Sequence, residues 1–134
     1  HVEDVLRRGR CLVPLVTEVL MLKDSLDLTD DDRARIVAAA RASAEPRLVI
    51  THGTDTMVDS ARALAAADLG KTIVLTGAMI PYAFGSSDGL FNLGSALSFA
   101  QVLPPGVYVA MNGRVFPWDN VRKNRERGVF EPAR

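Results

Sequence analysis

The chain has little cysteine: Cys11 is the single one among 134 residues. One thiol excludes a disulfide within the chain and a metal site built from several thiolates. We therefore interpret Cys11 as a small core residue. The chain also lacks any apolar run near the ~18 residues that a membrane-spanning helix needs, so no membrane span is predicted. Because the first residue is His1 rather than Met, this end does not reveal whether a targeting segment precedes it.

An excess of charge of either sign is also absent. Sixteen basic residues balance sixteen acidic ones, and the formal net charge is zero. The chain as a whole therefore does not have the electrostatic profile of a nucleic-acid or acidic-membrane binder. Its glycines form neither a Gly-x-Gly-x-x-Gly pattern nor a phosphate-binding loop, so no nucleotide site is predicted. The hydrophobic share of 48% is that of a globular domain with a core of its own.

Short apolar runs alternate with helical patterns along the chain. The runs carry no polar alternation, which is typical of strands buried on both faces. This order predicts a parallel α/β sheet with helices on both faces. Four strands make a narrow sheet, so we expect a further strand before His1. The predicted strands span residues 16–20, 48–50, 70–77 and 107–111, and the predicted helices span residues 2–8, 30–42, 57–67 and 89–101.

Polar residues at the starts of these helices have capping chemistry. Thr29 opens one helix, and the three aspartates that follow it lie where carboxylates complement the helix dipole. We interpret those acids as helix capping rather than as a metal site. Thr56 is predicted to cap the helix at residues 57–67. Ser86 or Ser87 is predicted to cap the helix at residues 89–101.

The carboxyl ends of parallel strands face one crevice, and several here are rich in hydroxyls and glycine. Thr54 and Asp55 are the sharpest candidates, since a carboxylate in such a turn can hold a cationic group. The alternative is a turn that merely closes the strand–helix corner. Lys123 is one of three lysines, and burial can tune a lysine into a base. The alternative is a solvated basic tail. His52 permits a Ser-His-Asp reading, but a Gly-x-Ser-x-Gly nucleophile motif is absent.

Four blocks of the sequence together resemble the bacterial-type L-asparaginase family. Residues 50–57 read Ile-Thr-His-Gly-Thr-Asp-Thr-Met, which is similar to the family's second signature. Residues 23–27 resemble its substrate-binding serine loop. Residues 76–81 with 87–92 resemble its third block. Residues 109–113 with 121–124 resemble its strand and lysine segment. The resemblance covers nearly the whole chain.

The resemblance implies roles for particular residues. Thr54, Asp55 and Lys123 match the family's threonine–aspartate–lysine triad. Ser25 matches the residue that binds the substrate α-carboxylate, and Asp55 also matches the acid that receives the α-ammonium. Gly53 and Ala78 match positions whose backbone lines the site near the amide oxygen. The implied reaction is hydrolysis of L-asparagine to L-aspartate and ammonia, by a threonine nucleophile with the lysine as proton acceptor. No metal or organic cofactor is implied.

The sequence also departs from the family in three ways. The Thr-Gly-Gly-Thr motif that carries the other catalytic threonine is absent and would belong before His1. The smaller C-terminal domain of long members is absent too, so residues 1–134 resemble a single domain of the short-chain branch. Leu26 stands where many long members have glutamine, which leaves the preference between asparagine and glutamine open.

The resemblance adds expectations about the whole protein. We expect a three-layer α/β/α domain with a mostly parallel, flavodoxin-like sheet, and a homodimer or homotetramer. The single cysteine and the lack of a visible export segment favour a cytoplasmic location. The rival functions are a glutaminase or a tRNA-amidotransferase-type amidase of the same family. A further rival is a non-catalytic amino-acid-binding or scaffold protein that has lost the N-terminal nucleophile.

Overall fold

The structure, a computed structural model, describes residues 2–81 and 85–134. Helices and strands alternate as predicted over residues 30–111, and a short 3-10 helix covers Ser25–Asp27. The four α-helices are α1 Val2–Arg8, α2 Asp30–Ala42, α3 Met57–Ala67 and α4 Gly89–Val102. The six strands are β1 Arg47–Thr51, β2 Thr72–Thr76, β3 Gly106–Met111, β4 Arg114–Pro117, β5 Arg122–Asn124 and β6 Val129–Glu131. None of the described helices is long and apolar enough to cross a membrane.

The first four strands form one sheet in the order β1-β2-β3-β4. β1, β2 and β3 run parallel, with Val49 beside Val74 and Val74 beside Tyr108. β4 returns antiparallel to β3. β5 and β6 pair with each other in a separate two-stranded sheet. The sheet is thus mostly parallel, as the alternating pattern predicts.

Side chains on the two faces of the central strand β2 belong to two different cores. Ile73 and Leu75 pack with α2 and α3 in the larger core. Val74, between them, packs with Ala96 and Ala100 of α4 in the smaller core. Successive strand residues point to opposite faces, so α3 and α4 cover opposite sides of the sheet. The predicted three-layer α/β/α architecture is confirmed.

The two crossover connections therefore have opposite hands. From β1 to β2 and from β2 to β3 the chain steps in the same direction across the sheet, yet α3 and α4 lie on opposite faces. Two steps in one direction on opposite faces cannot both be right-handed, although nearly all such crossovers are.

The strand predicted at residues 16–20 is wrong, because these residues are not in a strand. A strand needs a ladder partner, and within the described parts of the chain nothing pairs with this segment. Val16 and Val19 are 88% and 75% exposed. The segment is held instead by side-chain contacts, such as the bond from Arg35 to the carbonyl oxygen of Leu20.

Cys11 is only half-buried, so its interpretation as a core residue is also wrong.

β1 is less buried than its apolar sequence predicts. Its residues are half-buried or exposed, whereas all five residues of β2 are buried. The reason is position, since β1 lies at the edge of the sheet and β2 lies inside it. An apolar run predicts a strand, but it does not distinguish an inner strand from an edge strand.

Two of the three predicted N-caps lie where the sequence places them, and one of these two forms a capping bond. Thr29 forms a full capping box with Asp32. Thr56 occupies the N-cap of α3 without a capping bond, because its hydroxyl donates to the carbonyl oxygen of Ser25 instead. The N-cap of α4 is Asp88 rather than Ser86 or Ser87.

The segment from Arg114 onward is folded rather than a solvated tail. Asn112 and Gly113 both have positive φ, +59° and +75°, which is the type I′ turn that joins two-residue hairpins. This turn joins β3 to β4, and the β5–β6 hairpin follows. Phe116, Val121 and Phe130 are buried in the larger core.

Candidate active site

The corner between β1 and α3 packs directly on the loop that contains Ser25. A Cβ atom on Gly53 would lie 2.7 Å from the Cβ of Ser25, so only glycine fits at this position. The Ser25 hydroxyl oxygen accepts from the backbone N–H groups of Asp55 and Thr56, at 3.1 and 3.3 Å. Ser25 is buried, at 1% exposure. The corner and the loop that contains Ser25 are thus joined by contacts within the protein itself.

The residue after β2 lies equally close to this corner. A Cβ atom on Gly77 would come 2.1 Å from the carbonyl oxygen of His52. The backbone N–H of His52 donates to the Thr76 carbonyl oxygen at 2.9 Å, which extends the β1–β2 pairing by one residue. Ala78 follows Gly77 directly and is half-buried. The ends of β1 and β2 therefore meet backbone to backbone, as the rule for parallel strands predicts.

His52 has a structural environment rather than a catalytic one. Its Nδ1 lies 2.6 Å from the carbonyl oxygen of Gly53. A carbonyl only accepts, so Nδ1 carries the proton. Burial lowers the pKa of His52, so the ring is neutral and its Nε2 accepts from the hydroxyl of Ser60 at 2.7 Å. Ser60 is 1% exposed. This serine is buried inside α3, and no carboxylate among the described residues bonds to the ring.

Lys123 reaches the corner from β5. Its ammonium nitrogen lies 2.8 Å from the hydroxyl oxygen of Thr54 and 2.7 Å from Oδ1 of Asp55. The Lys123 side chain is 12% exposed, and that of Asp55 is 29% exposed. Thr54 is 9% exposed. The structure thus brings Lys123 together with Thr54 and Asp55, which lie 69 and 68 residues before it in the sequence.

Asp55 accepts from a second cation that the sequence did not identify. Arg125 lies 3.3 Å from Oδ1 of Asp55 and 3.4 Å from its carbonyl oxygen. The hydrogen bond from Lys123 is the main cause that lowers the pKa of Asp55, with the nearby charges of Lys123 and Arg125 adding to it. Asp55 is therefore ionised at neutral pH. Both cations bond to Oδ1, and Oδ2 forms no hydrogen bond or ion pair with the described residues.

The other arginines of this region do not form an anion patch. Arg122 and Arg127 pair with Glu131 on the adjacent strand, and Arg114 lies over the ring of Phe116. A hydrogen bond from Asn124, together with Arg122, lowers the pKa of Glu131. The basic tail in the sequence is thus a hairpin whose charges are mostly paired.

The loop that contains Ser25 is fixed at its base by an ion pair. Lys23 donates to Oδ2 of Asp32 at 2.8 Å, and the backbone N–H of Thr29 donates to the same oxygen at 3.0 Å. The bond from Lys23 is the main cause that lowers the pKa of Asp32 to about 2. Asp32 is therefore a capping residue, as predicted, whereas Asp30 pairs with Arg33. Within the described ranges, no three His, Cys, Asp or Glu side chains are grouped to hold a metal ion.

Hydrogen bonds around the buried Asn92 join the loop after β2 to the start of α4. The carboxylate of Asp88 accepts from the backbone N–H groups of Met79 and Ile80, both at 3.0 Å. Asn92 donates to Asp88 and to the carbonyl oxygen of Gly77, at 2.9 and 2.8 Å. Sequence reasoning did not identify this network. No sequence pattern distinguishes a buried, hydrogen-bonded asparagine in a helix from an asparagine on its surface.

The comparisons with known proteins agree on one family. A family model described as "Asparaginase, N-terminal" matches residues 3–130. The chain is 36% identical to L-asparaginase 1 of Escherichia coli (strain K12) over 118 residues, which are 84% of this chain and 35% of that protein.

Two solved structures have the same fold as this chain. L-asparaginase I from Vibrio cholerae matches with a TM-score of 0.83 and 32% identity, covering 98% of this chain and 43% of that one. The thermostable L-asparaginase from Thermococcus kodakarensis matches with a TM-score of 0.81 and 29% identity, covering 97% and 43%. The chain thus spans about a third of the curated relative's length and less than half of each solved structure.

Proposed function

Since this chain belongs to the asparaginase family, we propose that it supplies the main part of the active site of an amidohydrolase that converts L-asparagine to L-aspartate and ammonia. The observation that carries the proposal is the position of Lys123, whose ammonium nitrogen contacts both Thr54 and Asp55. A lysine that is 12% exposed and bonded to a threonine hydroxyl is the arrangement expected of a nucleophile and its proton acceptor.

The proposed chemistry has two stages. Lys123 first releases a proton to water. A threonine hydroxyl oxygen then bonds to the carbon of the substrate amide, and its proton passes to the resulting lysine amine. The carbon–nitrogen bond then breaks, and the proton leaves with the nitrogen as ammonia. Water hydrolyses the resulting ester and frees the threonine. Asp55 holds the lysine in place throughout, because its Oδ1 accepts from the lysine nitrogen at 2.7 Å.

The proposed substrate contacts are supported by hydrogen-bonding groups of Ser25 and Asp55 that the described residues do not use. The Ser25 hydroxyl oxygen accepts two backbone N–H groups, so its own proton is available to a substrate carboxylate. Asp55 is ionised and is hydrogen-bonded only at Oδ1 by side chains of the described residues, so Oδ2 is available to a substrate ammonium. The backbones of Gly53 and Ala78 would line the amide group.

We also propose that residues preceding His1 in the encoded protein provide a further strand and the second threonine, in a Thr-Gly-Gly-Thr loop. Two observations support this. The outer edge of β1 has no ladder partner among residues 2–81 and 85–134. The neighbouring segment exposes Leu12, Val16 and Leu22 almost fully, and each such side chain would gain roughly 1.5–3 kcal/mol on burial.

Ammonia release tests the proposed function in the full-length protein. We expect release from L-asparagine, and we expect Thr54→Ala and Lys123→Ala each to lower kcat by about 10²-fold or more, because each removes a group that moves a proton. Arg62→Ala is the control, since Arg62 is 63% exposed and pairs with Asp59 on α3 rather than with a residue of the site or of the hairpin. Wild-type activity in Lys123→Ala would refute the role of the lysine.

The same assay separates the alternatives. Faster release from L-glutamine or from an aminoacyl-tRNA amide would identify a glutaminase or an amidotransferase-type amidase. No release from any amide, with L-asparagine still bound, would identify a binding protein. The homodimer or homotetramer that the resemblance implies stays a prediction, which light scattering would test. The cytoplasmic location also stays a prediction, which cell fractionation would test.

A further inference from the structure

The hairpin that carries Lys123 is not part of the main sheet. β5 and β6 pair only with each other among the described strands, so the ladder does not fix where the lysine lies relative to Thr54. The side chains of Val121 and Phe130 anchor the hairpin in the core. Apolar packing is non-directional. A proton acceptor that must lie at 2.8 Å from a hydroxyl needs a directional restraint as well.

Asn112 supplies such a restraint. Its side-chain oxygen accepts from the backbone N–H of Phe130 at 2.7 Å. In the β5–β6 pairing, Phe130 lies directly opposite Lys123. The bond therefore ties the position next to the lysine to the turn that ends β3.

Asn112 is itself held from the other side. Its backbone N–H donates to the side-chain oxygen of Asn92 at 3.3 Å. Asn92 is 1% exposed, and its amide nitrogen donates to Gly77 and Asp88. One chain of bonds thus runs from the loop after β2, through Asn92 and Asn112, to the strand pair that carries the lysine.

We propose that Asn112 is a positioning residue for Lys123, holding the β5–β6 hairpin in register with Thr54 and Asp55 through its bond to Phe130. Its side chain is not required by the turn, since the positive φ at this position suits glycine as well. The effect on catalysis rests on the proposed function, whereas the effect on the position of Lys123 does not.

Two substitutions separate the side chain of Asn112 from its turn. Asn112→Gly keeps the positive φ and removes the acceptor. Asn112→Asp keeps an acceptor oxygen and is tolerated at positive φ. Asn120→Gly is the matched control, because the side-chain oxygen of Asn120 also accepts a backbone N–H, that of Arg134, but away from the hairpin strands.

In the full-length protein, we expect Asn112→Gly to lower kcat about tenfold or more with little change in KM, because small misplacements of a reacting group are costly. Asn112→Asp should recover most of the loss, and Asn120→Gly should match the wild type. Thermal unfolding below the assay temperature is checked for each. Wild-type kcat in Asn112→Gly would overturn the proposal.

A second readout does not depend on activity. Contact with Lys123 lowers the pKa of Asp55, so a loosened hairpin should raise that pKa towards its ordinary value in Asn112→Gly but not in Asn112→Asp or Asn120→Gly. Carbon-13 titration of labelled aspartate, with Asp55→Asn for assignment, measures it. If the wild type releases no ammonia, the proposed function fails, and this titration still decides the role of Asn112. An unchanged Asp55 pKa in Asn112→Gly would overturn it.

Discussion

The corner that carries Thr54 and the hairpin that carries Lys123 are held by different kinds of force. At the corner, a Cβ on Gly77 would meet the backbone of His52 and a Cβ on Gly53 would meet the side chain of the buried Ser25, so glycine is required at both positions. The hairpin is fixed over a few buried side chains by single hydrogen bonds and ion pairs. The comparison teaches that the corner is positioned by steric exclusion, which allows no side chain at the two glycines. The hairpin is positioned by polar bonds, whose strength depends on solvent and pH.

The largest effect should come from filling the space at the corner. In Gly77→Ala, the new Cβ would lie 2.1 Å from a backbone oxygen, so the ends of β1 and β2 must separate. We expect a loss of unfolding free energy of about 3 kcal/mol or more, measured by urea denaturation.

Gly94→Ala is the matched control for that substitution. Gly94 lies inside α4 with nothing within 4 Å of a built Cβ. Alanine there should stabilise the protein by about 0.5–1 kcal/mol, since glycine is a poor helix residue. Equal effects of the two substitutions would contradict the steric account of the corner.

A smaller effect at the corner should follow from removing the partner of His52. Ser60→Ala leaves the Nε2 of His52 buried without a donor, which we expect to cost about 1–3 kcal/mol of unfolding free energy. Ser98→Ala, on the exposed face of α4, should change it by less than about 0.5 kcal/mol. Loss of catalysis in a folded Ser60→Ala protein would instead support the Ser-His pair as a catalytic unit.

The hairpin should loosen in acid before the corner does. The folded-state pKa of Glu131 is lowered below its ordinary 4.5, so its bonds stabilise the fold above that pH. This contribution is lost as the pH falls through the lowered pKa. Amide protection factors, which correct for the intrinsic pH dependence of exchange, should therefore fall in β5 and β6 before they fall in β1 and β2. Glu131→Gln should remove this pH dependence, and an unchanged acid response in that variant would contradict the prediction.

The smallest effect should come from Arg125, which is 63% exposed and forms the kind of surface pair that contributes about 0–1 kcal/mol. Arg125→Ala should raise the pKa of Asp55, because it removes a neighbouring positive charge, but less than Lys123→Ala does. Arg127→Ala, which pairs with Glu131 instead, should leave Asp55 unchanged. Carbon-13 titration measures all three, and a larger shift in Arg125→Ala than in Lys123→Ala would contradict the ranking.

The same contrast explains what the sequence could predict. The corner is encoded locally: an apolar run, Gly53, two polar residues and a helix pattern are adjacent in the chain, so strand, turn and helix could all be predicted. The hairpin is not. Asn112-Gly113 is a strong hairpin signal, and it would have predicted β4 directly after β3. Nothing local indicates that Asn112 bonds to Phe130 or that Arg125 contacts Asp55.

The position of a strand within the sheet also could not be predicted from the local sequence. Residues 16–20 have strand composition but lie exposed without a ladder partner, and the apolar residues of β1 are only half-buried because β1 is an edge strand. Composition records what a segment can form. It does not record which neighbours are available to it.

The opposite hands of the two crossovers have a consequence for where a ligand can enter. After β1 the chain turns towards the face covered by α3, and after β2 it turns towards the face covered by α4. Chain turns that diverge to opposite faces at neighbouring strand ends are the arrangement that other doubly wound sheets create by reversing strand order, and ligands bind there. Here the strand order is not reversed. The divergence of the loops that carry Thr54 and Ala78 thus follows from the hands of the two crossovers, and we expect a ligand to enter between these loops.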